Sequence, residues 1–178
     1  MQPPSAIRPL EFPGGLADAA GRCAAIRDRT GCLLAVDLAN GTALWRSAEP
    51  ARPLLVLPDE VLALTIAAPV RCIALPLFGA QAGRQAWASQ ALPLPDWVAS
   101  GSAQTPDLNT DAAWLGDAIA LHWEAHLRYR GGAPPGPRAL AQATGNAEGD
   151  LHIDRASGAV RPATGPKLER PPPMPAQA

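Results

Sequence analysis

The sequence predicts an antiparallel all-β protein, and three observations lead to that prediction. With 21 prolines and 16 glycines in 178 residues, long helices are interrupted nearly everywhere, because proline lacks an amide proton and its ring clashes with the preceding helical turn. Between these breaks lie short apolar runs joined by turn formers, the pattern of consecutive hairpins. A twelve-residue stretch, Ile119 to Arg130, alternates apolar and polar side chains with a period of two. That is the period of a strand with one face buried.

Taken in order, residues 1–20 carry Pro3, Pro4, Pro9, Pro13 and Gly14-Gly15 and read as an irregular lead-in. The folded domain is expected over 21–162. Its first hairpin joins Cys23 to Ile26 and Cys32 to Leu38 across Asp28-Arg29-Thr30-Gly31. A second turn follows at Ala39-Asn40-Gly41-Thr42, where Asn-Gly supplies the positive φ angles of a tight hairpin. Ala43 to Ser47 is the return strand. Two strands are predicted at Val61 to Ala67 and Val70 to Leu77, and another at Arg84 to Ser89 after a glycine-bearing turn. The stretch from Leu92 to Trp97 is too rich in proline to continue a strand, and Ser100 to Thr110 reads as a surface loop. The alternating stretch is a half-buried strand, stopped by the Gly/Pro run at 131–137. Arg138 to Ala147 fits a strand or a short helix equally. Leu151 to Asp154 and Ala159 to Arg161 form a last hairpin, and 163–178 reads as a disordered proline-rich tail.

The chain also repeats. Gly41 and Trp45, and Gly83 and Trp87, share a Gly-x-x-x-Trp spacing 42 residues apart, and Asp37 to Gly41 matches Asp154 to Gly158 in its order of Asp, small residue, turn former and glycine. An interval near 40 residues is the length of a four-stranded propeller blade. The 117 residues from Gly41 to Gly158 equal three units of 39, which places an intermediate copy near the long alternating strand. Ala35-Val36-Asp37-Leu38-Ala39-Asn40-Gly41-Thr42-Ala43-Leu44-Trp45 resembles the tryptophan-docking repeat of pyrroloquinoline-quinone-like β-propellers, Ala-x-Asp-x-x-Thr-Gly-Lys-x-x-Trp, with Asn40 and Thr42 in place of threonine and lysine. The resemblance implies structural roles: Trp45 and Trp87 wedge between neighbouring blades, and Asp37 stabilises its turn. The second copy has Pro76 at the aspartate position, and the last has Pro162 at the tryptophan position. About three to four propeller-like blades are expected, an incomplete ring unless a minimal ring, a partner chain or further sequence closes it.

Charge and motifs restrict the function. Fifteen basic against sixteen acidic residues, with no block of like charge, argue against a nucleic-acid binder. The basic residues Arg128, Arg130 and Arg138 near Tyr129 read as a solvated edge. No apolar run reaches membrane-spanning length, and no basic patch followed by an apolar stretch opens the chain, so the expectation is a cytoplasmic protein without a membrane partner. Cys23, Cys32 and Cys72 form no CxxC pair and read as buried thiols. His122, Glu124 and His126 project from one side of a single strand. Two imidazoles and a carboxylate make a ligand set for zinc or non-haem iron, although alternating polar residues also mark any solvated sheet face. Asp37 and Asp154 fit turn roles better than catalytic ones. The sequence therefore predicts a non-catalytic repeat protein with no cofactor, meeting a protein partner or a second copy of itself. The alternatives are a fragment or subunit of a quinone-dependent dehydrogenase, or a small metal-binding oxygenase.

Overall fold

A computed structural model of the chain describes residues 7–12, 14–99, 107–127 and 145–163. The fold is all-β and antiparallel. Strands β1 (Leu10–Phe12), β2 (Gly15–Ala17), β3 (Cys23–Arg27), β4 (Cys32–Asp37), β5 (Thr42–Val56), β6 (Glu60–Thr65), β7 (Arg71–Pro76) and β8 (Trp87–Ala91) form one curled meander in sequence order. A single helical turn, α1 (Asp96–Ala99), precedes β9 (Asp107–Trp114), β10 (Ala118–Leu127), β11 (Gly145–Asp154) and β12 (Val160–Pro162), which form a second sheet ordered β12-β11-β10-β9.

The meander divides at β5. Its first part pairs with β4 as far as Cys32↔Pro50, and its second part pairs with β6 from Ala51↔Thr65 onward. Both prolines of this strand lie beside a break in its pairing. Pro50 follows the register shift opposite Cys32 and Leu34, and Pro53 borders the shift before Leu55. Bulges and edges are where a strand tolerates the missing amide proton. The chain thus supplies three antiparallel layers: β1–β5, β5–β8 and β9–β12.

Two apolar cores join these layers. Ala25, Leu33 and Ala35 of the first meet Val61, Ala63, Ile73 and Leu75 of the second. Leu62, Leu64, Cys72 and Ala74 on the opposite face of the second meet Ile119, Leu121, Trp123, Leu151 and Ile153 of the third. The middle layer is therefore buried on both faces, which is why Val61-Leu62-Ala63-Leu64 is an unbroken apolar run. The outer layers alternate. Ile7 ties the ends together, exchanging backbone hydrogen bonds of 3.0 and 2.9 Å with Trp114 on the edge of β9, with Arg8 paired to Asp111 at 3.4 Å.

Several expectations need adjusting. The lead-in is not wholly irregular: β1 and β2 form a small hairpin at 10–17, with Phe12 folded over Gly15, where an added Cβ would sit 2.6 Å from the ring. Asp107 to Trp114 is a strand, not a continuation of the surface loop. The ambiguous 138–147 stretch contributes the start of β11 at Gly145. Between Gly83 and Gly158 lies a single four-stranded sheet with the alternating strand as its β10, so the stretch that was expected to hold an intermediate copy belongs to the same unit as Gly158. Tyr129, Arg128, Arg130, Arg138 and the tail from 164 onward lie outside the described residues.

Candidate functional site

Gly41, Gly83 and Gly158 each sit in the turn that leads into the last strand of a layer, β4–β5, β7–β8 and β11–β12. Their φ angles are +72°, +72° and +73°, the left-handed region that glycine enters without steric cost. Each glycine donates its amide back to the end of the preceding strand: Gly41 to the Asp37 carbonyl at 2.8 Å, Gly83 to Pro76 at 2.9 Å and Gly158 to Asp154 at 2.9 Å. Asp37 accepts from the amide of Ala39 at 2.8 Å and from Asn40 Nδ2 at 3.0 Å. Asp154 accepts from the amide and hydroxyl of Ser157, and these bonds hold its carboxyl below the ordinary range. Pro76 can accept at its carbonyl but has no carboxylate to fold over its turn.

From each of the first two turns the chain runs four residues to a tryptophan, and each indole meets the corresponding turn of the next layer. Trp45, opposite the buried Ala35, lies over Gly83, where an added Cβ would be 2.9 Å from Cγ and Cδ2. Trp87 lies under Arg155, whose guanidinium carbon is 4.5 Å from the ring centroid. Arg155 also grips Glu60 of the middle layer at 2.9 and 3.3 Å, a two-toothed contact suited to its planar fork. Gly158 itself approaches the Ala88 carbonyl beside Trp87, and Gln90 donates its amide to the Gly158 carbonyl at 2.8 Å.

A second shared feature is the serine two positions after each tryptophan. Ser47 Oγ accepts the Leu33 amide at 2.9 Å and donates to the Glu49 carbonyl at 2.8 Å. Ser89 Oγ accepts the Cys72 amide at 3.0 Å and donates to the Gln90 carbonyl at 2.6 Å. Leu33 and Cys72 are the residues at which the strand registers shift. Each hydroxyl thus replaces a ladder bond lost at a bulge. Trp-x-Ser recurs at the same 42-residue interval, a signal readable from sequence and left unused there.

The two outer faces of the layered molecule differ in chemistry. On the first layer the outward residues include Leu10, Phe12, Ile26, Leu34 and Val36, as the pairing registers place them; Leu10 is 53% exposed and Phe12 38%, and the other three are half-buried. Arg46, the charged side chain opposite Leu34, is already engaged with Asp28 at 2.8 Å and Thr30 at 2.6 Å. On the third layer the outward residues include Asp111, His122, Glu124, His126, Asn146, Glu148, Asp150 and His152.

Within that polar face the structure rearranges the predicted histidine group. His122 and Glu124 come together, with His122 Nε2 3.3 Å from Glu124 Oε1. His126 does not join them; it turns to Asn146, with Nδ1 3.0 Å from Oδ1. Its place is taken across the strand pair by Glu148, directly opposite Glu124, and ligand atoms of His122, Glu124 and Glu148 lie within 4.8 Å of one another. Asp150, opposite His122, holds Nδ1 at 2.9 Å. Burial works to lower the His122 pKa, but hydrogen bonds and charge from Asp150 and Glu124 outweigh it and leave it above the ordinary histidine value. Cross-strand partners are invisible in a one-strand reading, which is why Glu148 was missed.

The thiols are buried, and burial pushes Cys72 up to about 12. The five tryptophans pack against the two cores and form no exposed stacking platform. An open cleft of ≈ 400 Å³ lies among the turns at Gly21, Arg22, Asp37, Leu38, Pro58 and Phe78. Among the described residues no helix is long and apolar enough to cross a membrane. In comparison with known proteins, the chain matches no family profile and no curated protein.

Proposed function

We propose that the chain is a short propeller-like repeat array of the pyrroloquinoline-quinone-like kind, and that it serves without catalysis as an assembly module, joining a second copy of itself through the apolar outer face of its β1–β5 layer. The observation that carries this reading is the unequal chemistry of the two outer faces. The β9–β12 face displays carboxylates, imidazoles and amides, whereas the β1–β5 face displays leucine, phenylalanine, isoleucine and valine. Apolar side chains gathered on one outer face favour association.

The nature of the occupant follows from the same contrast. A polar outer face cannot cover an apolar one without taking charged side chains out of water, so head-to-tail stacking of copies is disfavoured. Two apolar faces can meet about a two-fold axis, in a contact that closes on itself. Arg46, satisfied within its own chain, adds no charge that would select a different partner. The tryptophan positions support the same polarity: Trp45 and Trp87 point along the array toward the third layer, where Pro162 replaces the tryptophan and the outer face becomes polar.

Light scattering coupled to size exclusion tests the reading. The expected mass is twice the 18.4 kDa of the chain, falling to a single chain on Leu10→Glu with Phe12→Glu, two exposed positions whose replacement leaves both cores intact. A wild-type protein that stays monomeric at high micromolar concentration overturns the proposal.

A further inference from the structure

We propose that the outer face of the β9–β12 sheet binds one divalent first-row transition ion between His122 Nε2, Glu124 and Glu148, with Asp150 fixing the imidazole. This site is independent of the assembly reading, because it lies on the opposite outer layer.

The strand register builds the site. His122 and Glu124 are two residues apart on β10 and so share a face; Asp150 and Glu148 stand opposite them on β11. Glu124 and Glu148 stand directly opposite each other across the pair, so a single dication on this face can take one carboxylate oxygen from each strand. The spacing fits a small ion. Zinc bonds of about 2.0–2.2 Å to nitrogen and oxygen put tetrahedral donors roughly 3.4 Å apart. His122 Nε2 and Glu124 Oε1 are already 3.3 Å apart, and a carboxylate oxygen of Glu148, an exposed side chain, completes a set of ligand atoms from the three residues that all lie within 4.8 Å of one another.

Asp150 supplies what a metal-bound histidine needs behind it. Its Oδ1 accepts the Nδ1 proton at 2.9 Å, which leaves the Nε2 lone pair for an ion and fixes the plane of the ring. One imidazole nitrogen with two carboxylates selects the ion class. Calcium and magnesium prefer oxygen-only shells and soft ions prefer sulfur, whereas zinc, manganese and ferrous iron accept this mixed set. Three protein ligands leave at least one position for water or an external ligand.

Chelator-treated full-length protein is titrated with zinc chloride by calorimetry, with calcium chloride as the comparison. One zinc per chain is expected, with micromolar or tighter affinity and no comparable calcium uptake. Glu148→Gln should weaken zinc binding ~10-fold or more, Asp150→Asn by about 10–100-fold, and His126→Gln should leave it unchanged. A second readout needs no variant: in long-range nitrogen–proton spectra of the wild type, zinc should move the Nε2 resonance of His122 and not that of His126. Absence of zinc uptake, unchanged affinity in a folded Glu148→Gln protein, or a response at His126 in place of His122 each overturns the site.

Discussion

If Trp45 docks on the turn of the next layer, then adding one methyl group at Gly83 should cost far more than adding the same group at Gly41. The two glycines are matched in backbone, both at φ +72°. An alanine at either must hold a left-handed conformation, at ~1–2 kcal/mol, partly offset by roughly 0.4–1 kcal/mol from the stiffer unfolded chain. Their surroundings differ. At Gly41 nothing lies within 4 Å of the added Cβ, whereas at Gly83 it would meet Trp45 Cγ and Cδ2 at 2.9 Å and Cε3 at 3.0 Å. Comfortable carbon contacts lie at about 3.5–4.0 Å, so the ring must retreat by roughly half an ångström or more, and it is held on its inner side by the core around Ala35. Forced overpacking of this kind costs typically ~1–3 kcal/mol. Gly41→Ala should therefore lower stability by about 1 kcal/mol and Gly83→Ala by about 2–4 kcal/mol. Urea unfolding gives both from midpoints at a common slope. The decisive control is the cycle with Trp45→Ala, in which the Gly83 penalty should shrink to the Gly41 value. A difference between the two glycine variants below ~0.5 kcal/mol, the ordinary error of additivity, or a Gly83 penalty that survives loss of the indole, refutes the docking contact.

Two further outcomes are expected. Ser89 is 2% exposed, and its loss leaves the Cys72 amide buried at a bulge without its acceptor; Ser89→Ala, and Ser47→Ala at the matching site, should each cost ~1–3 kcal/mol in the same urea assay, while Ser89→Thr keeps the hydroxyl and should recover part of that loss. At Asp28, the Thr30 hydroxyl is the leading cause, followed by Arg46, of a carboxyl held down at about 2. A folded pKa below the unfolded one means stability that is present above pH ~4 and fades as pH falls toward about 2; Asp28→Asn should flatten that part of the acid limb, and urea midpoints of the variant that track wild type from pH 4 to 2 would discard the assignment.

What could be read in the sequence was local. Gly41 suited its hairpin because the backbone there is left-handed, whereas Asn40, expected to share that conformation, has no positive φ and acts through its side chain on Asp37 and Thr42; the alternation from Ile119 onward specified β10 because one face is apolar and the other wet. Position 45 offered tryptophan, but only the fold shows that its floor is Gly83. The failures share a cause. β5 passes two prolines because bulges and a change of layer remove the need for their amides, and no rule on proline within one strand foresees a change of partner. The stretch Asp107–Trp114, half of it polar, is a strand because β10 pairs with it along its length, not because of its own pattern. Glu148 joins His122 through register alone.

The uneven spacing of the glycine turns also has a physical basis. Gly41 and Gly83 are 42 residues apart, and Gly83 and Gly158 are 75 apart, yet all three turns share a φ within a degree and the same amide-to-strand-end hydrogen bond. Constancy of the turn and variability of the interval are compatible if the layer-to-layer contact is made at the turn, because each contact then constrains only the tryptophan and the turn it meets. Insertions outside those points cost only loop closure, which grows slowly with length. Across the longer interval Arg155 still reaches Trp87 and Glu60. The docking contact, rather than the interval between turns, is what relates Gly41–Trp45 to Gly83–Trp87 in this chain.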